Sequence, residues 1–244
     1  MEKNVAFIFI GTGKYVDFFE DYYDSVVDSF MPEVPKTIFA FTDKTDHELF
    51  DKKSVSTYKI NHQDWPFITL KRFEFIAQAE EELKKFSDII FMDADMYVAR
   101  DIGEEFLGLY SKLFGVQHPG QFIYGDVCEF EGNPESTAFV PKDKRGKYRQ
   151  GCFWGGRNPY ILDMILRLRD NVREDLENGI IAAWHDESHL NSYLCDYENE
   201  VTTLHSGYAY PQNWNMPVEK VIVHLDKNMK EYPRFRSGDV ENDD

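Results

Sequence analysis

Apolar residues in this chain fall into short unbroken runs, separated by stretches with helical spacing. That is the pattern of a buried sheet covered by helices. The first run, Val-Ala-Phe-Ile-Phe-Ile at residues 5–10, reads as a strand. It stops at Gly11-Thr12-Gly13, a tight turn, and a helical pattern follows over residues 16–30. Strand, glycine turn and helix in that order open many nucleotide-binding α/β domains, though these glycines fall short of the full dinucleotide fingerprint. Residues 37–42 and 54–60 read as the next strands. Leu70, Phe73, Ile76, Leu83 and Phe86 keep a helical stripe across residues 69–86. Residues 88–92 are then a strand with Asp93 at its carboxyl end, the end at which open α/β sheets bind ligands.

The second half is less regular. Residues 115–150 are rich in Gly, Pro and charge, so they are expected to form loops and short strands over the active face. Asn158-Pro159 predicts a helix start, with Asn as cap and Pro at the first helical position. Ile161, Ile165, Leu168, Val172 and Leu176 form that helix's inner stripe, and Asn178-Gly179 ends it. A shorter helix should begin near Asp186, and residues 221–225 are a strand candidate. No compositional break marks a boundary. The reading is one α/β domain over residues 1–238, with a nucleotide-binding half to about 115 and a loop-rich half beyond it. Residues 239–244 form an acidic tail expected to be disordered.

Charge narrows the partners. With 27 basic and 44 acidic residues the net charge is −17, which argues against nucleic acid and against anionic membrane surfaces as partners. A diphosphate ligand would need local cations or a divalent metal to reverse that field. Three cysteines, Cys128, Cys152 and Cys195, are odd in number and widely spaced, which argues against a disulfide framework and for a reducing compartment. The opening apolar run is too short for a signal peptide or anchor, and no later run reaches membrane length. A soluble, cytoplasmic protein is expected. Aromatic residues make up 16% of the chain; most belong in the core, and the excess suits carbohydrate stacking only weakly.

Two stretches carry the chemistry. Asp93-Ala94-Asp95 is a poor signal by composition, because acid-x-acid triplets should arise about eight times by chance at this acid content. Its place at a strand end favours a hard-cation site that also holds a diphosphate. Trp184-His185-Asp186-Glu187-Ser188-His189-Leu190-Asn191 packs two imidazoles, two carboxylates, a hydroxyl, an amide and an indole into eight positions. Such a mixture suits a pocket that grips a polyol. His185 and His189 at i and i+4 also resemble a zinc-hydrolase pair, but the residue after the first His is Asp186, not Glu. Asp186 and Glu187 could equally serve only the positive end of a helix dipole. Tyr15, beside the glycine turn, could stack on a base. Lys227, Lys230, Arg234 and Arg236 form a late basic cluster that could close over phosphates as a lid. Gly155-Gly156 marks a close backbone approach, to a ligand or to a neighbouring strand.

The segments around residues 10–15, 91–96, 118–120 and 153–156, together with the run at 184–191, resemble family 6 of the retaining glycosyltransferases. That family includes the histo-blood-group A and B transferases, α1,3-galactosyltransferase and Forssman synthase. The resemblance runs in order over about residues 5–236. It implies a GT-A fold and transfer of Gal or GalNAc from UDP-Gal or UDP-GalNAc to a galactose-containing acceptor, with retention and an α1,3 linkage. By the match, Asp93 and Asp95 would hold Mn²⁺, or Mg²⁺, and the UDP diphosphate. Tyr15 would stack on uracil, with Ile10 and Thr12 lining the pocket. Arg72 and Asp186 would touch the donor sugar, and Lys227 and Arg234 the diphosphate. Glu187 would be the nucleophile or the stabiliser of an oxocarbenium-like transition state. His118, Trp184 and Glu187 would contact the acceptor, and the second half of the chain would be mainly acceptor-binding. Gln150 and Cys152 fall where the family tunes Gal against GalNAc. Vertebrate members carry a membrane anchor and stem that this chain lacks, so it resembles soluble microbial or viral forms. Some bacterial members replace both Asp-x-Asp carboxylates with Asn; here both remain, which implies metal dependence. A non-catalytic sugar-binding protein on the same fold is the alternative, with the zinc hydrolase behind it.

Overall fold

A computed structural model of the chain describes residues 3–226 apart from 47 and 126. The basic cluster Lys227, Lys230, Arg234 and Arg236 and the acidic tail lie outside the described residues. Strands β1 (Val5–Ile10), β2 (Lys36–Thr42), β3 (Val55–Lys59) and β4 (Asp88–Met92) run parallel. They continue into β6 (Leu113–Gln117), β7 (Arg149–Arg157) and β8 (Val201–Leu204), giving one seven-stranded sheet in the order β3-β2-β1-β4-β7-β6-β8. Strand β7 is antiparallel to both β4 and β6. A small second sheet joins β5 (Met96–Val98), β10 (Ile222–His224) and β9 (Tyr210–Pro211).

Alternation along the central strands builds two cores. Phe7 and Phe9 of β1 and Ile90 and Met92 of β4 face helix α1 (Phe19–Ser29), where Phe19, Tyr22 and Val26 are buried. Ala6, Ile8, Ile89 and Phe91 face the opposite way. They pack under α3 (Arg72–Ala77), α6 (Tyr160–Glu177) and α7 (His185–Asp196). With both faces covered, these strands read as continuous apolar runs, and β1 and β4 begin and end where the pattern placed them.

Several expectations need correction. The single helix expected over residues 69–86 is three short ones, α2 (Phe67–Leu70), α3 and α4 (Glu80–Leu83). The backbone tightens at the breaks, where Gln78 and Ala79 donate to carbonyls three residues back. The inner stripe survives because one face stays buried throughout: Leu70, Phe73, Ile76 and Leu83 are each at most 1% exposed. The expected helix from residue 16 begins as a 3₁₀ segment, Gly13–Phe18, before α1. Pro159, not Asn158, occupies the cap of α6, because the Asn158 amide donates to the Leu83 and Phe86 carbonyls. Residues 115–150 do form loops, with α5 (Pro119–Tyr124) among them, but β6 and β7 frame them as sheet strands. Gly155-Gly156 belongs to β7: a Cβ there would meet the Ile89 carbonyl at 2.5 Å and the Lys112 carbonyl at 2.3 Å. The close approach is to neighbouring strands. No helix among the described residues is long and apolar enough to cross a membrane.

Candidate active site

The parallel register sets Ile8 level with Phe91, so β1 and β4 end at the same edge. At the end of β1, half-buried Ile10 leads into buried Thr12. Gly13 takes φ +58°, a conformation that favours glycine. Its N–H donates to Asp43 at 2.9 Å, and Thr12 Oγ1 lies 2.9 Å from His62 Nδ1. Tyr15, half-buried, donates its N–H to the Thr12 carbonyl and meets Phe18 edge-on. Ile10, Thr12 and Tyr15 therefore form one rim beside the end of β4.

Beyond β4, Asp93 and Asp95 stand with His224 of β10, their nearest ligand atoms all within 4.8 Å of one another. His224 Nε2 is 3.1 Å from Asp95 Oδ2. Pairing of β10 with β5, with His224 level with Met96, puts the imidazole there. Two carboxylates and an imidazole suit Mn²⁺ better than Mg²⁺, which prefers oxygen ligands alone. The residues present thus fit a divalent ion. His224 went unnoticed in the sequence, although it lies within the strand candidate at residues 221–225 and is the last residue of β10.

Arg72 joins this acidic edge to α7. Its guanidinium is 3.4 Å from Asp93 Oδ1 and 3.1 Å from Asp186 Oδ2, and donates to the Gly151 carbonyl at 2.7 Å. The Phe91 ring lies 4.5 Å beneath it. Burial alone would lower the Arg72 pKa, but Asp186, Asp93 and other nearby groups more than reverse that and raise it. Asp186, 6% exposed, is pushed up to about 7, chiefly by burial, with Arg72 opposing.

Trp184 caps α7, and Glu187 follows on its first turn. Glu187 Oε1 accepts from Tyr148 at 2.6 Å and Oε2 from the Gly151 N–H at 2.7 Å. Both bonds hold the carboxylate in one orientation. A Cβ at 151 would be crowded, 3.2 Å from Asp186 Oδ2 and 3.3 Å from Glu187 Cβ. Asn191 locks α7 to β7, exchanging bonds of 2.8 and 2.7 Å with the Arg149 backbone. Tyr148 and Gly151 were not picked out from sequence; the signal for Gly151 was a lone glycine between the two positions singled out for specificity. Those two flank it: Gln150 is half-buried, and Cys152 is buried with its thiol pKa raised by burial and nearby carboxylates. His118 caps α5, accepting from Gly120 at 3.0 Å, and its ring lies 6.1 Å from that of Tyr148.

The two histidines of α7 part company. His185 has φ +52° and its ring meets Trp65, while His189 is fully buried with Nε2 3.7 Å from Asp175. The backbone turn at His185 is why the i, i+4 spacing does not give a shared face. Neither ring nitrogen of His189 has a hydrogen-bond partner among the described residues. Burial pushes its pKa down to about 4, although Asp175 and Glu131 pull it up. An unfolded His titrates near 6.5, so its stabilising effect is complete above that pH and is lost as pH falls toward 4. On the order of 3 kcal/mol is at stake. Urea midpoints between pH 7.5 and 4.5 should therefore fall more steeply in the parent protein than in His189→Gln; parallel slopes would contradict this.

The chain matches the family described as Glycosyltransferase family 6 over residues 2–237. It is 30% identical over 230 residues to the O-antigen biosynthesis glycosyltransferase WbnI of Escherichia coli, covering 93% of this chain and 97% of that one. It is 30% identical over 227 residues to Histo-blood group ABO system transferase 1 of Rattus norvegicus, covering 88% of this chain and 64% of that one. Globoside alpha-1,3-N-acetylgalactosaminyltransferase 1 of Gallus gallus matches at 26% over 233 residues, 92% of this chain and 67% of that one. The seven-stranded, mostly parallel sheet is that of a GT-A-type glycosyltransferase. The chain belongs to glycosyltransferase family 6.

Proposed function

We propose that the protein transfers Gal or GalNAc from its UDP-sugar to the 3-hydroxyl of a β-galactoside, with retention and in a divalent-metal-dependent manner. One observation carries this reading: the Arg72 guanidinium bridges Asp93 at the acidic edge to Asp186 on α7, one residue from the oriented Glu187. A donor lying across that bridge would have its diphosphate at Asp93 and Asp95 and its sugar between Arg72 and Asp186. Ile10, Thr12 and Tyr15 would line the uracil side. His118 and Trp184 would meet the acceptor galactose, and Gln150 and Cys152 would tune the donor sugar. Lys227 and Arg234 are proposed for the diphosphate, on a lid in a single catalytic domain over residues 1–238.

A bound Mn²⁺ would supply charge that stabilises the departing diphosphate. Asp93, Asp95 and His224 would hold it. Glu187, fixed by Tyr148 and Gly151, would stabilise positive charge at the anomeric carbon, either as nucleophile or beside a same-face attack. Arg72 keeps Asp186 oriented toward the sugar hydroxyls.

The test is UDP release from UDP-Gal, UDP-GalNAc, UDP-Glc and UDP-GlcNAc, with and without Mn²⁺. Release from one of the first two, abolished by exhaustive chelation, is expected; undiminished activity after chelation would overturn the metal reading. Asp95→Asn should lose turnover and nucleotide affinity together. His224→Ala should weaken Mn²⁺ binding, read by electron paramagnetic resonance of the free ion, by roughly tenfold or more; unchanged affinity would remove His224 from the set.

A further inference from the structure

Strands β6 and β7 slip against each other beside the site. Gly115 lies level with Trp154, but the next residue, Val116, lies level with Gln150. Gly151, Cys152 and Phe153 therefore stand outside the β6 ladder and form a bulge, a device that re-aims a strand next to a site. On its other side the bulge stays tied to β4: Phe153 is level with Met92, and the Asp93 N–H donates to the Cys152 carbonyl at 2.9 Å. At its foot, Gly151 turns its N–H to Glu187 at 2.7 Å and its carbonyl to Arg72 at 2.7 Å. The second bond to Glu187 comes from Tyr148, three residues earlier. The two anchors of Glu187 thus flank residues 149 and 150.

Arg149 is fully buried, and each of its five guanidinium N–H groups has an acceptor. Nε and Nη2 donate to Thr203 Oγ1 at 3.1 and 2.9 Å. Nη1 and Nη2 donate to the two oxygens of Glu198 at 2.7 and 3.0 Å, and Nη1 also donates to the Lys147 carbonyl at 3.0 Å. Thr203 is on β8, level with Gly115 of β6, and Glu198 opens the turn just before β8. The side chain therefore crosses β6 to reach the outermost strand of the sheet. It passes over Gly115, where a Cβ would stand 3.2 Å from Arg149 Cγ. From the other side, Asn191 of α7 holds the Arg149 backbone through both its N–H and its carbonyl. An apolar side chain of similar volume would serve stability as well as a buried ion pair does. What the guanidinium fork adds is fixed direction.

We propose that Arg149 is a positioning residue for Glu187. From the foot of the bulge it sets where Tyr148 and Gly151 stand, and through them the orientation of the carboxylate. Glu198 and Thr203, at the edge of the sheet, act through Arg149 in the same way. This rests on the reading of Glu187 as the group that stabilises the anomeric carbon.

The test measures transfer to methyl β-galactopyranoside from UDP-Gal and UDP-GalNAc in the full chain, in Arg149→Lys and in Glu198→Gln. Lys keeps the charge and loses the fork, while Gln keeps the shape and loses the partner charge. Both variants should lower kcat, Arg149→Lys by roughly tenfold, with donor and acceptor KM unchanged. In a protein that already carries Glu187→Gln, Glu198→Gln should lower kcat no further, because the carboxylate it positions is gone. A KM that rises in step with the fall in kcat, an unchanged kcat, or equal losses with and without Glu187→Gln would overturn the proposal. Amide hydrogen exchange separates this from failure of the transfer reading, since it needs no substrate. The Gly151 N–H should exchange roughly tenfold faster in both variants than in the parent, while amides of β1 and β4 keep their parent rates. An unchanged Gly151, or β1 and β4 accelerating with it, overturns the proposal whether or not transfer is seen.

Discussion

Replacing Glu187 with Gln is expected to lower kcat by about two to four orders of magnitude, with UDP affinity nearly unchanged. Gln fits the same space. Its carbonyl oxygen can accept from the Gly151 N–H, and its amide can donate to the Tyr148 oxygen, so both anchors at 2.7 and 2.6 Å survive. What would disappear is the negative charge proposed to stabilise the anomeric carbon. The loss should thus fall on the transition state rather than on ground-state binding. The melting temperature should stay close to that of the parent. A variant with near-normal kcat would remove Glu187 from the chemistry.

Arg72→Ala should damage both stability and activity. The guanidinium is 8% exposed and is the cation paired with Asp186, itself 8% exposed by side chain. Removing one member of such a pair strands a buried carboxylate and costs about 3–5 kcal/mol. In a chain of this size the melting temperature should drop by roughly 10 °C. The sign of the pH dependence is a sharper check. In the parent, the Asp186 pKa is raised to about 7. A carboxyl whose folded pKa is raised adds stability as pH falls from the folded toward the unfolded value. Without Arg72 to oppose burial the rise should be larger. The deficit in melting temperature should therefore shrink between pH 8 and pH 5.5. A deficit that is constant or grows at low pH would show that Arg72 does not serve Asp186.

The readable parts of the sequence share a physical cause. Strands β1 and β4 are covered on both faces, so their apolar runs mark their limits, and the stripe of α6 marks a helix for the same reason. Strand β7 escaped because Gly151, Gly155 and Gly156 interrupt any apolar pattern, although backbone approach to β4 and β6 requires the last two. The break of residues 69–86 into three helices left no trace in the stripe, which records burial and not backbone hydrogen bonds.

At the site, the residues with dense chemistry were legible and their connections were not. Asp93 could be placed at a strand end and Glu187 on a first helical turn. That Arg72 would link Asp93 to Asp186, or that Tyr148 and Gly151 would hold Glu187, depends on how α3, β7 and α7 pack. Local periodicity carries no such information. His224 reaches Asp95 across 129 positions of sequence, through a three-residue strand in a separate sheet. The lid proposed for Lys227 and Arg234 falls outside the described residues.

The most direct measurement is the ¹H NMR spectrum of the product formed from UDP-Gal or UDP-GalNAc and methyl β-galactopyranoside in the presence of Mn²⁺. The account predicts a new α-anomeric signal and a correlation from it to C3 of the acceptor galactose. A β-linked product, or free sugar as the only product with the acceptor unchanged, would contradict it.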